Sequence, residues 1–371
     1  MNWDLIYYLV LSLGVGVLLT LCVTMACQHI NQTAQYSPYR RSVHYMAGVF
    51  GTIAFNFVCS MLLNMVGLGG SKWCTVLDVT TYTPVAAMFS WSVLSLIDDR
   101  NDRTLRKQHE MALWVISAAA VTATAIIEDG LISDILFGIV VGLWGIFIAY
   151  YAGRIAKTYH RIVIKIDNFY SDDVAQSMRG IRTSVLCFVA VGLFSPIASV
   201  LSVEVNAIYA IVCLVSYIFL GISILNFRDS YALIHHASEV DVSVATVWSE
   251  KELPSFGETE EAISRLGEWR DRKGYRKVGV TIEQISEEMD VPCPMLSKVI
   301  NHKFGCTFRE HINRLRIHDA QEILIRTPQA KIEDVAHQVG YSSAEEMKIY
   351  FGRIVGVTPE EWREGVHKLM K

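Results

Sequence analysis

The residues able to do chemistry fall into three sets. The first is polar and lies inside apolar surroundings: Asp78 stands about five residues into an apolar run with Pro84 beyond it, and an acid within a span is costly enough to imply a use. With Asn56, Asn64 and Asp134 it could line an outward-facing polar pocket; alternatively, Asp78 and Asp134 lie near an interface and are simply wet. The second set is the eight cysteines. Cys22, Cys27, Cys59, Cys187 and Cys213 lie in apolar runs and Cys293 and Cys306 in charged sequence. There is no CxxC pair or Cys/His set at zinc-ligand spacing, so neither disulfides nor a metal site is expected. The third set is basic: Lys298, Lys303, Arg314, Arg316, Lys348 and Arg353 form a stripe that could lie along phosphates, with Arg316 read as a structural ion pair. No nucleophile with its base and no complete phosphate loop is present. Gly67 to Lys72 lacks the loop's spacing and preceding strand and reads as a tight turn, so neither catalysis nor a cofactor is expected.

Two halves of different composition must position these sets. The chain has 371 residues, 33 Lys+Arg against 37 Asp+Glu, and only 19% charged residues, too few for an ordinary soluble domain. The first 227 residues hold 26 of the charges and the remaining 144 hold 44, so the chain changes solvent near Phe227. Seven runs before that point are long and apolar enough to cross a bilayer: Asp4 to Cys27, His44 to Val66, Trp73 to Ile97, Met111 to Ile127, Leu131 to Tyr151, Ser184 to Ser202 and Val205 to Phe227. The start, Met-Asn-Trp-Asp, lacks the basic residues of a cleaved signal, so the first run is expected to remain.

Basic residues orient the bundle. Arg40, Arg41, Arg100, Arg103, Arg106, Lys107, Arg154, Lys157, Arg161, Lys165, Arg179 and Arg182 occupy alternate connections, and Lys72 alone occupies the others. Because Lys and Arg are retained on the cytoplasmic side, the N-terminus is expected outside and the C-terminus inside. The outer connections are too short for a folded sensor, so any signal must enter the bundle or be a lipid or a partner protein. The inner stretch Ile155 to Phe169 is amphipathic and is expected to lie along the lipid surface.

Beyond Phe227 comes an acidic stretch, 228–261, with 2 basic and 8 acidic residues and breaks at Pro254, Ser255 and Gly257, which reads as a linker. His235 and His236 within it read as a solvated helix end. Helical periodicity then resumes with Ile263, Leu266 and Trp269. Thr281 is a plausible N-cap for Ile282, Ile285 and Met289. After a break at Asp290 to Pro292, a second short helix turns Leu296, Val299 and Ile300 inward and Ser297, Lys298 and His302 outward, the pattern of a helix-turn-helix. About 50 residues later the unit recurs, from Lys331 through Gly340 and a Ser cap to Met347, Tyr350 and Phe351. A helix from about Phe308 to Ile325 joins the two.

The stretches TIEQISEEMDVPCPMLSKVINHKFGCTF, HINRLRIHDAQEIL and IEDVAHQVGYSSAEEMKIYFGRIVGVTPEEWRE carry a specific resemblance. Over about Ser264 to Arg363 the sequence resembles the AraC/XylS family of bacterial transcription regulators, with Gly356 to Pro359 and Trp362-Arg363 at a fixed distance from Gly340-Tyr341. The resemblance implies binding of double-stranded DNA by both recognition helices in successive major grooves. Carried over by position, the contacts would be Pro294, Ser297, Lys298 and Lys303 from the first unit and Ala344, Glu345, Lys348, Ile349 and Arg353 from the second. The chain departs from the family at Ile349 and Gly352, where members often carry Arg and Lys, and residues 262–371 are only slightly basic, with 18 basic and 16 acidic residues.

The expectation is therefore an all-α protein: a seven-helix transmembrane domain at 1–227, an acidic cytosolic linker at 228–261 and an AraC-type DNA-binding domain at 262–371. It would sit in the cytoplasmic membrane with its C-terminal domain in the cytoplasm, not act as an enzyme, bind promoter DNA, and respond to an unknown ligand or lipid signal. Dimerisation through the bundle is a secondary expectation. The alternative is a seven-helix receptor or transport-like protein whose degenerate helix-turn-helix binds a protein partner.

Overall fold

The computed structural model describes residues 3–30, 33–68, 71–97, 104–126, 131–174, 178–198, 202–239 and 256–369. Arg100 and Arg103, Gly69 and Gly70 of the tight turn, and Pro254 and Ser255 lie outside the described residues. All regular structure among the described residues is helical. The chain divides into two units, residues 1–160 with 177–235, and residues 161–176 with 236–371.

The first unit is built on long helices: α1 (Trp3–Cys27), α2 (Ser37–Met65), α3 (Lys72–Ile97), α4 (Thr104–Ile126), the first 30 residues of α5 (Leu131–Asp167), α6 (Arg179–Ala198) and α7 (Val203–Asn226). α2 starts with Pro38 in its first turn, where a missing N–H costs nothing. It buries Tyr39, Val43, Met46, Ala47, Phe50, Ile53, Ala54 and Phe57, a stripe at spacings of three and four. α1 packs on α2 and α7, and α3 on α2, α4 and α6. Val76 and Val79 of α3 meet Val121 of α4 and Trp144 and Ile148 of α5 in one core. A buried ion pair, Glu110 with Arg154 at 2.9 Å, ties α4 to α5, and the Trp91 indole donates to the same carboxylate.

Among the described residues five helices, not the seven expected, are long and apolar enough to cross a membrane: Trp3–Cys27, Ser37–Met65, Gln108–Ile126, Asp134–Asp167 and Val203–Asn226. α3 falls short because it carries Asp78 and is rich in Thr and Ser. It can afford them because protein surrounds it, with Thr75, Thr81, Thr83, Ser90 and Ser92 all buried. The apolar run read at Ser184 to Ser202 lies in α6, and its end at 199–201 is outside the described residues. The outer helices show the opposite pattern. Leu5, Leu9, Leu13, Leu19 and Val23 on α1, and Ile208, Val212, Val215 and Ile222 on α7, are exposed, and a soluble protein rarely leaves apolar faces of that size bare.

Two further readings change. The stretch read as lying on lipid is continuous with α5, and its apolar residues Ile162, Ile166 and Phe169 are buried in protein. The acidic stretch 228–261 contains a helix, α8 (Arg228–Glu239), and Gly257 lies inside α9 (Phe256–Asp271); residues 240–255 are outside the described set. The Tyr231 ring of α8 packs at a tilt against Tyr36 and Tyr39, and His236 pairs with Glu283 at 3.0 Å.

The second unit contains α9, α10 (Ile282–Met289), α11 (Cys293–Phe304), α12 (Phe308–Arg326), α13 (Ile332–Val339), α14 (Ala344–Val355) and α15 (Pro359–Leu369). Thr281 closes a capping box with Gln284 at the start of α10, satisfying two otherwise orphan donors. Thr307 caps α12 and Ser343 caps α14. Ile317, Ala320 and Leu324 of α12 enclose, with Val335, Ala336, Val339, Tyr341, Met347 and Phe351, the core of the second half.

Candidate nucleic-acid interface

Two short helix pairs, α10–α11 and α13–α14, flank α12. α12 has 19 residues and is about 28 Å long at 1.5 Å per residue, comparable with one turn of a DNA duplex. Its position is held from inside. Arg316 is fully buried, donating 2.9 Å bonds to the carbonyls of Tyr275 and Lys277, with its guanidinium 5.3 Å from the centre of the Tyr341 ring. Asp319, one turn on, accepts from Lys273, the Tyr275 hydroxyl and both Nε and Nη2 of Arg276. Burial raises its carboxyl pKa, but these cations win and hold it below the ordinary range. Arg316 therefore cannot reach a phosphate; together with Asp319 it fastens the 273–277 turn to α12.

A second set of bonds was invisible as a site in the sequence. Residues 167–173, from the last residue of α5 onward, are built into this unit. The Ile282 N–H donates to Phe169 O at 2.9 Å and the Ser171 N–H to Val280 O at 3.1 Å, a short antiparallel bridge at the entrance to α10. Asn168 Oδ1 accepts from the Phe308 N–H at 3.2 Å, one of the free donors at the start of α12. Asn313 donates to Ser171 O. Arg309 spans Asp173 at 2.6 Å and Asp167 at 3.1 Å, with only 15% of its side chain exposed. The signal that could have found this clamp is Arg309, Asn313 and Arg316 spaced along one face of α12; nothing local names their partners.

On α11, Pro294 and Lys298 are half-buried, and His302 and Lys303 are exposed. Ser297 is a correction: it is fully buried and its hydroxyl accepts from Asn301 Nδ2 at 3.2 Å, so it does not face outward. Asn301 was missed; it lies one turn beyond Lys298 and is half-buried. On α14, Glu345, Lys348, Ile349 and Arg353 are exposed, while Ala344 packs partly on the core. Lys348 meets Glu360 at 2.7 Å, which holds its ammonium above the ordinary range. Arg353 lies 5.5 Å from the centre of the Tyr350 ring.

The polar residues of the first unit divide. Asn56 donates to Asp78 at 3.1 Å and to Thr81 at 2.8 Å, and Tyr82 donates to Asn56. Asn56, Asn64 and Asp78 line one cavity. Asp134 is not among its lining residues: it is exposed and pairs with Lys72 at 3.0 Å.

His311 gives the second unit a pH dependence. It is 8% exposed, against the Phe304 ring, and burial, with Arg314 and Arg270 nearby, lowers its pKa to about 4. The unfolded chain therefore takes up a proton that the folded one refuses. The His311 contribution is complete above the ordinary pKa of 6.5 and is lost as pH falls towards 4, by about 3 kcal/mol at most. Amide protection factors of this unit, that is, exchange corrected for its intrinsic pH dependence, should fall between pH 7 and 4.5, and His311→Gln should flatten that profile. An identical slope in the variant would contradict the assignment.

Residues 285–365, about a fifth of the chain, match the model of a helix-turn-helix domain, of the AraC type. No curated protein and no solved structure matches the chain. The match supports a DNA-binding transcription regulator and covers α11 to α14 with the linking helix.

Proposed function

We propose that the chain is a membrane-embedded transcription regulator that binds promoter DNA sequence-specifically through both helix-turn-helix pairs, without catalysis of its own. The first unit spans the cytoplasmic membrane as sensor or anchor, and the second works in the cytoplasm, in a homodimer formed through the bundle. The observation that carries this reading is the composite second unit. Its two recognition helices are joined by α12, and α12 is bonded to residues 167–173, which come from the connection between α5 and α6. Any change in that connection has a direct route to the helix that sets the spacing of the two recognition helices.

The test is a DNA shift with full-length protein in lipid nanodiscs and the DNA upstream of its own gene. Binding is expected to fall steeply with salt. Lys298→Ala should weaken it by roughly 1–3 kcal/mol, about a 5- to 150-fold loss. Equal, weak binding to any sequence, unchanged by Lys298→Ala, would overturn the reading. The second reading, a helix-turn-helix turned to a protein partner, is favoured by one observation: α14 presents Glu345 and engages Lys348 with Glu360. It requires a protein recovered without DNA, and unaltered transcripts in a deletion strain.

A further inference from the structure

The cavity lined by Asn56, Asn64 and Asp78 has a volume of about 420 Å³, within the range of small-molecule sites. It lies where α1, α3 and α7 begin and α2 and α6 end. Asp4, Tyr7 and Tyr8 come from α1, Asp78 and Tyr82 from α3, and Asn206 and Tyr209 from α7. Among the described residues that line it there is no Lys or Arg. The Asn56 amide, itself buried, bonds one oxygen of Asp78 and is in turn held by Tyr82, so the carboxylate is oriented by a hydrogen bond and not neutralised by a cation.

We propose that this cavity binds a small organic cation, an amine or quaternary ammonium compound. Two carboxylates without a basic neighbour reject anions and attract a positive charge, and tyrosine rings offer the π faces on which an alkylated ammonium group rests. A bare divalent ion would seek six to eight oxygens at about 2.3–2.6 Å, a far tighter cage than a cavity of this volume. Under the orientation set by the basic connections, the site opens to the outside, which suits a signal that the short outer loops cannot capture. The proposal rests on the sensor reading for its biological meaning, while the binding itself is measurable without DNA.

The experiment uses the full chain in nanodiscs, with choline as probe and its uncharged isostere 3,3-dimethylbutan-1-ol as control, followed by calorimetry and thermal unfolding. Tetramethylammonium and phenethylamine are run in parallel to cover smaller and aromatic cations. At least one cation is expected to bind and raise the melting temperature, with the neutral isostere at least tenfold weaker. Asp78→Asn should lose tenfold or more, and Tyr7→Leu, at the start of α1, should weaken binding if Asp78→Asn fails to fold. Equal binding of the isostere, a shift produced by calcium alone, or no response to any of the three cations would overturn the proposal. DNA affinity is measured on the same preparations without probe: its loss would count against the regulator reading, and its retention with no cation binding against this site alone.

Discussion

Arg309→Ala is expected to loosen the second unit by about 2–3 kcal/mol, although its ion-pair partners lie outside the two helix-turn-helix pairs. Its guanidinium bridges Asp173 and Asp167, and the two side chains are 26% and 15% exposed. Removing one partner of a buried pair leaves the other charges without compensation and costs about 3–5 kcal/mol in full burial; the exposed part of Asp173 brings the figure down. Amide exchange is the suitable readout, since the chain has two units and a single melting point would mix them. Protection should fall at Ser171, Ile282 and Phe308, whose N–H groups donate to Val280 O, Phe169 O and Asn168 Oδ1. A double-mutant cycle with Asp173→Ala should show coupling of about 1 kcal/mol or more. Additive effects would mean that the pair is a surface contact without consequence for α12.

Gly340→Ala is expected to be at least as severe. Gly340 ends α13 with φ of 102°, and a Cβ placed there would lie 2.5 Å from the backbone oxygen of Arg276. Backbone cannot step aside as a flexible side chain does, so both the dihedral and the clash must be relieved by separating the 273–277 turn from α13. The cost is about 3 kcal/mol or more, a drop of roughly ten degrees or more in the melting of a unit of this size. Gly356 supplies the control: its φ is 90°, yet nothing lies within 4 Å of the added Cβ. Gly356→Ala should therefore cost only the left-handed penalty, about 1–2 kcal/mol. Equal losses at the two positions would show that the contact with Arg276 carries no weight.

Much of the second unit was legible because its signals are local. Leu266, Trp269, Ile285, Leu296, Met347 and Phe351 recur at helical spacing and are buried; Thr281 and Ser343 cap the helices they precede. Ser297 was misread because a helical wheel separates an inward from an outward face but does not show how far neighbouring helices close over the boundary. In the bundle, the cost of polar groups in apolar sequence pointed to Asn56, Asn64 and Asp78, which share a cavity. The same reasoning failed for Asp134, whose partner Lys72 starts a different helix.

Residue type and spacing by themselves determined the helical class, the rise in charge after Phe227, the two helix-turn-helix pairs and the long apolar runs of α1, α2 and α7, since each depends on interactions within a few residues or on composition over about twenty. Only the tertiary structure decided what covers an apolar face. α3 carries more polar residues than a lipid-facing span because neighbouring helices enclose it. Ile162, Ile166 and Phe169, whose pattern pointed to a bilayer surface, are covered by protein, in a segment bonded to residues about 110 to 140 positions further along the chain. Amphipathicity records that a face avoids water, and lipid and protein satisfy that demand equally; the hydrogen bonds and ion pairs of Asn168, Asp167 and Asp173, specific to one partner surface, made the choice.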